Sequence, residues 1–86
     1  MATTLHKLTA REVFARNVRR ARRWKDISQE ELADRAGLNR NYVGEVERGQ
    51  RNISVDNMGR FAHALGLPLS DLVDVALLKG FGGKEL

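Results

Sequence analysis

Hydrophobic residues recur at spacings of three and four along most of the chain, which places them on one face of successive α-helices. In the first helix, predicted over 11–25, Phe14, Val18 and Ala21 form such a stripe. Further helices are predicted over 29–36, 40–48, 55–65 and 70–78. The fourth has a buried face composed of Val55, Met58, Phe61, Ala62 and Leu65. The pattern predicts an all-α fold, a compact bundle of five helices.

Capping residues mark where these helices begin and end. Thr9 and Ser28 are each followed three residues later by a glutamate, Glu12 and Glu31, which is the pattern of a capping box. Asn39 and Ser54 are the predicted N-caps of the third and fourth helices. Gly37 follows the second helix, where glycine suits a left-handed C-cap because it has no side chain to clash.

Residues 28–49 form the stretch around which the chain is organised. Two short amphipathic helices meet there at a tight turn, Gly37-Leu38. Their apolar residues are Leu32, Ala33 and Ala36 in the first and Val43 and Val46 in the second. Helices this short bury little alone, so each needs the other and the surrounding helices. The pattern predicts a helix-turn-helix motif.

Length and composition predict one soluble domain. The chain has 86 residues, 42% of them hydrophobic, and no cysteine. We expect a flexible arm over 1–10, a folded domain over 11–79 and a flexible tail over 80–86. No apolar run approaches the roughly 20 residues that span a bilayer, and the N-terminus lacks the order of a signal peptide. We therefore expect a cytoplasmic protein with no membrane partner.

The charge distribution points to a polyanionic partner. The net charge is +4, and within 1–25 the only acid is Glu12. The basic residues of that segment are Lys7, Arg11, Arg16, Arg19, Arg20, Arg22, Arg23 and Lys25. Such a basic half favours binding to phosphates, since neutralising them releases counterions. A solvated helix face is the alternative explanation of the same residues.

Enzymatic chemistry has no support in the sequence. The chain has no glycine-rich phosphate loop and no His–carboxylate–nucleophile constellation. His6 and His63 are far apart and lack acids at ligand spacing. We expect no enzyme activity, no metal and no cofactor.

The segment 18–72 resembles the DNA-binding domain of the lambda-repressor and Cro-like regulators, the Xre family. The matching residues are Arg22, Ser28 to Ala33, Gly37-Leu38, Val43 to Gly49, Ile53-Ser54 and Ala64 to Gly66. Residues 39–43 and 47–54 are also similar to the controller proteins of restriction–modification systems. The resemblance implies a sequence-specific transcriptional regulator; a protein-interaction or adaptor module with the same fold is the alternative.

The resemblance also implies a role for each face of the motif. The second helix would enter the major groove of double-stranded operator DNA, where Arg40, Asn41 and Glu45 would contact bases. Residues placed to contact phosphates are Gln29, Asn39, Tyr42, Arg48, Arg51 and Asn52. Asn39 has a competing role as an N-cap, and Glu45 could instead orient Arg40 or Arg48. Arg22 and Glu47 would form an ion pair between the first and third helices.

The fifth helix is more apolar than one core-facing stripe requires. Its apolar residues form the predicted homodimer interface: Leu69, Leu72, Val73, Ala76 and Leu77. A dimer would place two recognition helices about 34 Å apart on a near-palindromic operator. Completion of the monomer core is the alternative role for these residues. RNA polymerase is a further candidate partner of such a regulator.

Overall fold

The structure, a computed structural model, describes residues 8–76, and every regular element within them is helical. The helices are α1 (Ala10–Trp24), α2 (Gln29–Ala36), α3 (Arg40–Glu47), α4 (Val55–Leu65) and α5 (Leu69–Leu72). The all-α prediction with five helices is confirmed. The predicted tail, most of the predicted arm, His6 and Leu77 lie outside the described residues.

One hydrophobic core joins the five helices. Phe14 of α1 and Phe61 of α4 meet edge to face at its centre, with ring centroids 5.7 Å apart. Leu32 of α2 and Val43 of α3 are fully buried beside them. Burying each side chain of this size contributes roughly 1.5–3 kcal/mol. The core therefore fixes α2 and α3 against a scaffold made by α1 and α4.

The predicted N-caps of α1 and α2 are present, but only one of them is a complete capping box. The Thr9 hydroxyl accepts from the backbone N–H of Glu12, and the Glu12 carboxylate accepts from the N–H of Thr9. The Ser28 hydroxyl likewise accepts from the N–H of Glu31. The Glu31 side chain instead pairs with Arg35 one turn later, at 2.8 Å. The prediction of a second capping box was therefore wrong in its reciprocal half, because an arginine at i+4 binds the carboxylate.

The turn between α2 and α3 has the predicted geometry. Gly37 adopts φ 69° and ψ 35°, a left-handed conformation that glycine takes without steric cost. The next N–H, that of Leu38, donates to the carbonyl of Ala33 at 2.9 Å and closes the helix end. Asn39 then caps α3. Three residues, Gly37 to Asn39, thus connect α2 to α3, and their conformation sets the angle between the two helices.

The exposed start of α4 departs from its predicted pattern. Val55 is 71% exposed, although it lies seven residues, about two turns, before the buried Ala62. Met58, three residues after Val55, packs against the core, so the cover given by the neighbouring helices ends between these two residues. The periodicity identified the correct helix face but not the point where its partners end.

The fifth helix is shorter than predicted, and Ser70 does not begin it. Helix α5 starts at Leu69 after Pro68 and ends at Leu72, and a turn separates it from helical residues that begin again at Val75. The end of α5 lies against Asn17, a fully buried residue of α1. The predicted helix over 70–78 is therefore interrupted at 73–74.

Asn17 explains that interruption. Its amide Nδ2 donates to the carbonyl oxygens of Asp71 at 3.3 Å, Leu72 at 2.9 Å and Asp74 at 3.0 Å. Carbonyls at the end of a helix have no intrahelical donors, so this side chain supplies the cap. The Oδ1 atom of Asn17 is buried and has no hydrogen-bond partner within residues 8–76. Asn17 therefore stabilises the end of α5 through its Nδ2 and not through its Oδ1.

We expect Asn17→Ala to lower the free energy of unfolding by about 1–3 kcal/mol, because buried carbonyls lose their donor. Asn17→Asp, which keeps the size but sets a carboxylate against three carbonyl oxygens, should cost more. Urea denaturation near neutral pH followed by circular dichroism measures both. An aspartate variant as stable as the native protein would contradict the capping role.

Candidate nucleic-acid interface

A groove separates the start of α2 from the outer face of α3. We call it the recognition groove; it is lined by Arg22, Ser28, Gln29, Glu30, Arg40, Asn41, Gly44, Glu45 and Arg48. It brings together all three side chains predicted to contact bases. Gln29 and Arg48, predicted to contact phosphates, lie beside them.

The packing of α3 determines which of its side chains face the groove. Val43 and Val46 are buried in the core, so the opposite face of this helix points outward. Arg40 and Asn41 are exposed in the first turn of α3. The Oδ1 atom of Asn39 accepts from the backbone N–H groups of Asn41 and Tyr42, at 2.7 and 3.3 Å. This bond fills the N-cap role of Asn39 and leaves its Nδ2 as the donor available outside the helix.

Arg22 of α1 and Glu47 of α3 form the ion pair that holds the two helices together. The Arg22 Nε lies 2.6 Å from Glu47 Oε2, and its second terminal nitrogen donates to Glu47 Oε1 at 3.0 Å. The remaining terminal nitrogen of Arg22 donates to the carbonyl of Ile27 at 2.9 Å. The side chains are 13% and 3% exposed. This buried bidentate pair connects α1, α3 and the segment leading into α2.

Gln29 belongs to the same network. Its Nε2 donates to Glu47 Oε1 at 3.0 Å. The sequence predicted only a phosphate contact for Gln29, and it missed this bond because a side chain in the first turn of α2 gives no sign of its partner. The carboxylate of Glu47 thus binds groups from α1 and α2 at once. One of the two N–H groups of the Gln29 amide is thus taken by Glu47, and the other is left for a phosphate.

An acidic side chain flanks Arg40 in the recognition groove. Arg40 lies 3.8 Å from the carboxylate of Glu30, and both side chains are largely exposed. Such a pair is weak, since solvent and salt screen it. Glu30 was not among the predicted site residues; the only sign of it in the sequence is an acid in the first turn of α2. The pair keeps the Arg40 guanidinium close to the groove, and a ligand can easily displace Glu30 from it.

Glu45 binds an arginine rather than standing alone. Its carboxylate accepts from Arg51 at 3.0 Å. The guanidinium of Arg51 lies over the ring of Tyr42, 4.8 Å from its centroid, a cation–π contact. The Tyr42 hydroxyl in turn accepts from the Nδ2 of Asn57 at 3.1 Å. These contacts hold the loop after α3 against the start of α4.

Gly44 leaves space at the middle of the recognition groove. A Cβ atom at this position would lie 3.3 Å from Nη1 of Arg48 and 3.6 Å from Oε1 of Gln29. Glycine in a helix interior costs about 0.5–1 kcal/mol relative to alanine. Glycine at this position therefore lowers the stability of α3, and it keeps a methyl group out of the groove.

Some predicted site residues lie elsewhere. Asn52 lines a separate groove with Arg11 and Met58, away from the recognition groove. Leu72 is fully buried in the core, so its predicted place in a dimer interface is wrong for this conformation. Leu69 also packs against the core. The exposed members of that predicted set within 8–76 are Val73 and Ala76.

A metal site and a membrane span each have requirements that residues 8–76 do not meet. Residues 8–76 contain no group of three or more His, Asp or Glu side chains arranged to hold a metal ion. None of the helices described is both long and apolar enough to cross a membrane.

The fold and the groove define a helix-turn-helix DNA-binding regulator. Residues 18–72 match the helix-turn-helix family, and the chain belongs to it. The chain is similar to control protein C.BamHI of Bacillus amyloliquefaciens, at 43% identity over 65 residues that cover 74% of this chain and 80% of the relative. It is 38% identical over 73 residues to control protein C.SmaI of Serratia marcescens, covering 85% and 87% of the two chains.

A solved structure has the same fold. The restriction–modification controller protein C.AhdI from Aeromonas hydrophila superimposes with a TM-score of 0.70 at 45% identity, covering 72% of this chain and 94% of that one. The expected resemblance to the Xre family and to restriction–modification controller proteins is confirmed.

We expect Glu47→Gln to lower the free energy of unfolding by roughly 3 kcal/mol or more, because it leaves the mostly buried Arg22 uncompensated. The matched control is Glu31→Gln, which breaks the exposed pair with Arg35 and should cost less than about 1 kcal/mol. Adding Arg22→Met to Glu47→Gln should recover part of the loss, since no unpaired charge then remains. Chemical denaturation of the four proteins measures these values. Equal losses for the two glutamate variants would show that burial of the pair has no energetic effect.

Proposed function

We propose that the protein is a sequence-specific transcriptional regulator that binds operator DNA through the recognition groove, with the role of a restriction–modification controller. The observation that carries the proposal is the exposed first turn of α3, where Arg40 and Asn41 project from a helix whose other face is locked in the core. Side chains held on a rigid helix can match base edges without a large loss of conformational freedom.

The proposed base contacts follow from side-chain chemistry. Arg40 can donate two parallel hydrogen bonds to guanine in the major groove, and Asn41 can form a bidentate pair with adenine. Glu45 is bound to Arg51, so we assign it first to orienting that arginine and only second to accepting from cytosine. Arg40 and Asn41 thus carry most of the proposed sequence discrimination.

Phosphate contacts are proposed for groups around the groove. Gln29 begins α2, whose first backbone N–H groups point away from the helix toward an incoming phosphate. Donors from α3 and the loop that follows it are Asn39 through Nδ2, Tyr42 through its hydroxyl, Arg48 and Arg51. Asn52, in a separate groove, would contact only a phosphate outside the recognition groove. Because these groups bind the backbone, they fix position rather than sequence.

We propose that the regulator acts as a homodimer in the cytoplasm. Val73 and Ala76 are exposed near the end of the described chain, where apolar surface favours association with a second copy. Two copies related by a twofold axis would contact half-sites about 34 Å apart, so the operator would be near-palindromic. RNA polymerase bound beside such an operator is a proposed further partner. The role is regulatory rather than enzymatic, in keeping with relatives named as control proteins.

An adaptor module is the second candidate function. The exposed side chains of Val73 and Val75 favour it, since they could bind another protein. Binding to random duplex DNA at low salt separates the two proposals, because a DNA-binding domain with this charge should bind non-specifically there.

Selection of bound duplexes from a random pool, followed by substitution of Arg40, tests the proposed function. We expect the pool to converge on a near-palindromic site. Arg40→Ala should then weaken binding to that site by roughly 1–3 kcal/mol and bind a scrambled duplex almost as well as the native protein does. Arg60→Ala removes an exposed arginine outside the groove and serves as the charge-matched control.

Fluorescence anisotropy on the two duplexes gives the affinities. Equal losses for Arg40→Ala on the selected and scrambled duplexes would exclude base recognition by Arg40. A pool that never converges, with no binding at low salt, would favour the adaptor.

Gly44→Ala should change stability and DNA affinity in opposite directions. Alanine raises helix propensity, and the exposed end of Arg48 can move aside, so the free energy of unfolding should rise by up to about 1 kcal/mol. The added methyl group enters the recognition groove, so affinity for the selected duplex should fall. Thermal denaturation and anisotropy measure the two effects. A rise in both would show that DNA does not approach the helix at this position.

A further inference from the structure

A second basic groove lies beside the recognition groove. It has a volume of about 500 Å³ and runs between α1 and the end of α3. We call it the arginine groove; the basic side chains that line it are Arg16, Arg19, Arg20 and Arg23 of α1 and Arg48 after α3. None of the α1 arginines in this set lines the recognition groove.

The acids of the arginine groove do not neutralise it. Glu47 is already bound to Arg22 at 2.6 Å. Glu12 caps α1 by accepting from the backbone N–H of Thr9, and its single charge is outnumbered by the five arginines of the lining. The ion pairs within residues 8–76 do not include Arg16, Arg19 or Arg23, and all three side chains are exposed. The lining therefore carries more positive than negative charge, and such an excess favours a polyanionic ligand.

The spacing of these arginines suits a nucleic-acid strand. Arg16, Arg19 and Arg23 follow one another at three and four residues, so they lie on one side of α1. Their Cα atoms span about 10 Å along the helix axis, at 1.5 Å per residue. One strand of duplex DNA places a phosphate about every 3.4 Å along its axis and winds around that axis, so arginines spread over this length can meet successive phosphates of one strand.

The arginine groove is continuous with the proposed DNA-binding surface. Arg48 lines both grooves, and its guanidinium lies next to Gly44 on the recognition side. A DNA backbone that leaves the recognition groove past Arg48 therefore meets the α1 arginines next. An acidic protein could also bind these arginines. DNA is the better candidate, because Arg48 joins the arginine groove to the recognition groove, where DNA is already proposed to bind.

We propose that the arginine groove binds the phosphate backbone of duplex DNA outside the half-site contacted by α3. This inference rests on the proposed function, since it extends the same DNA across a second surface. The α1 arginines then add affinity that depends on the length of the duplex and on salt, but not on the sequence of the flanks. Helix α1 thereby enlarges the contact without contributing to base recognition.

The test compares a short and a long duplex. The short one carries only the site recovered by selection, and the long one adds about one helical turn, roughly 10 base pairs, of unrelated sequence on each side. The native protein should bind the long duplex more tightly and with a steeper dependence on salt. The triple variant Arg16→Gln/Arg19→Gln/Arg23→Gln should bind both duplexes with similar affinity. On the long duplex its slope of log affinity against log salt should fall by roughly 2–3, since each phosphate contact contributes about 0.9.

A charge-matched triple variant supplies the control. Arg11→Gln/Arg35→Gln/Arg60→Gln removes the same net charge from exposed positions outside both grooves. It should lower affinity for both duplexes by a similar factor and keep the preference for the long one. Circular dichroism checks that both triple variants fold.

The outcomes separate this inference from the proposed function. The native protein could bind the short duplex yet gain no affinity from the flanks, or the α1 triple variant could keep that gain in affinity. Either result would show that the arginine groove does not bind DNA, and an acidic protein would then be the remaining candidate ligand. If the native protein binds neither duplex, the proposed function and this inference both fail. Loss of the gain in both triple variants would show that net charge alone causes it, which also overturns the inference.

Discussion

The carboxylate of Glu47 is the contact on which the geometry of the motif depends. It accepts hydrogen bonds from Arg22 of α1 and Gln29 of α2 while it belongs to α3, so one buried group fixes the relative positions of three helices. A buried charge of this kind is costly unless its partners are complete. The hydrophobic core alone would permit small rotations of α3, since apolar contacts are not directional. The ion pair and its amide partner remove that freedom, and they do so next to the surface that faces the proposed ligand.

Local chemistry in the sequence predicted most of the fold. The cap at Thr9, the left-handed turn at Gly37 and the cap at Asn39 are set by residues adjacent in the chain, so the sequence shows them directly. Glu31 and Val55 mark the limit of that reasoning. The partner of Glu31 was decided by competition between a backbone N–H and Arg35, and the exposure of Val55 by where neighbouring helices end. Both outcomes depend on tertiary packing that periodicity does not contain.

The candidate site and the contacts that support the fold around it divide in the same way. The sequence identified the outward face of α3 because burial of Val43 and Val46 leaves only one face for Arg40 and Asn41. It did not identify Asn17, whose amide contacts carbonyls more than fifty residues later in the chain. Nothing in the sequence around an asparagine inside a helix indicates such a distant cap. Periodicity thus located the outward face of α3, and the family resemblance supplied the Arg22–Glu47 pair. The bonds of Asn17 and Gln29 were missed because neither periodicity nor the resemblance indicates their partners.

Helix α1 combines jobs that would otherwise conflict. One side carries Phe14 and Val18 into the core, and a second carries Arg22 into the buried pair with Glu47. Its remaining side holds exposed arginines whose mutual repulsion opposes folding. That repulsion is tolerable because the core and the ion pair hold the helix in place independently of the exposed charges. A helix that is already fixed on two sides can therefore carry an excess of positive charge on its third side. The protein can then attract a polyanion with little loss of folding stability.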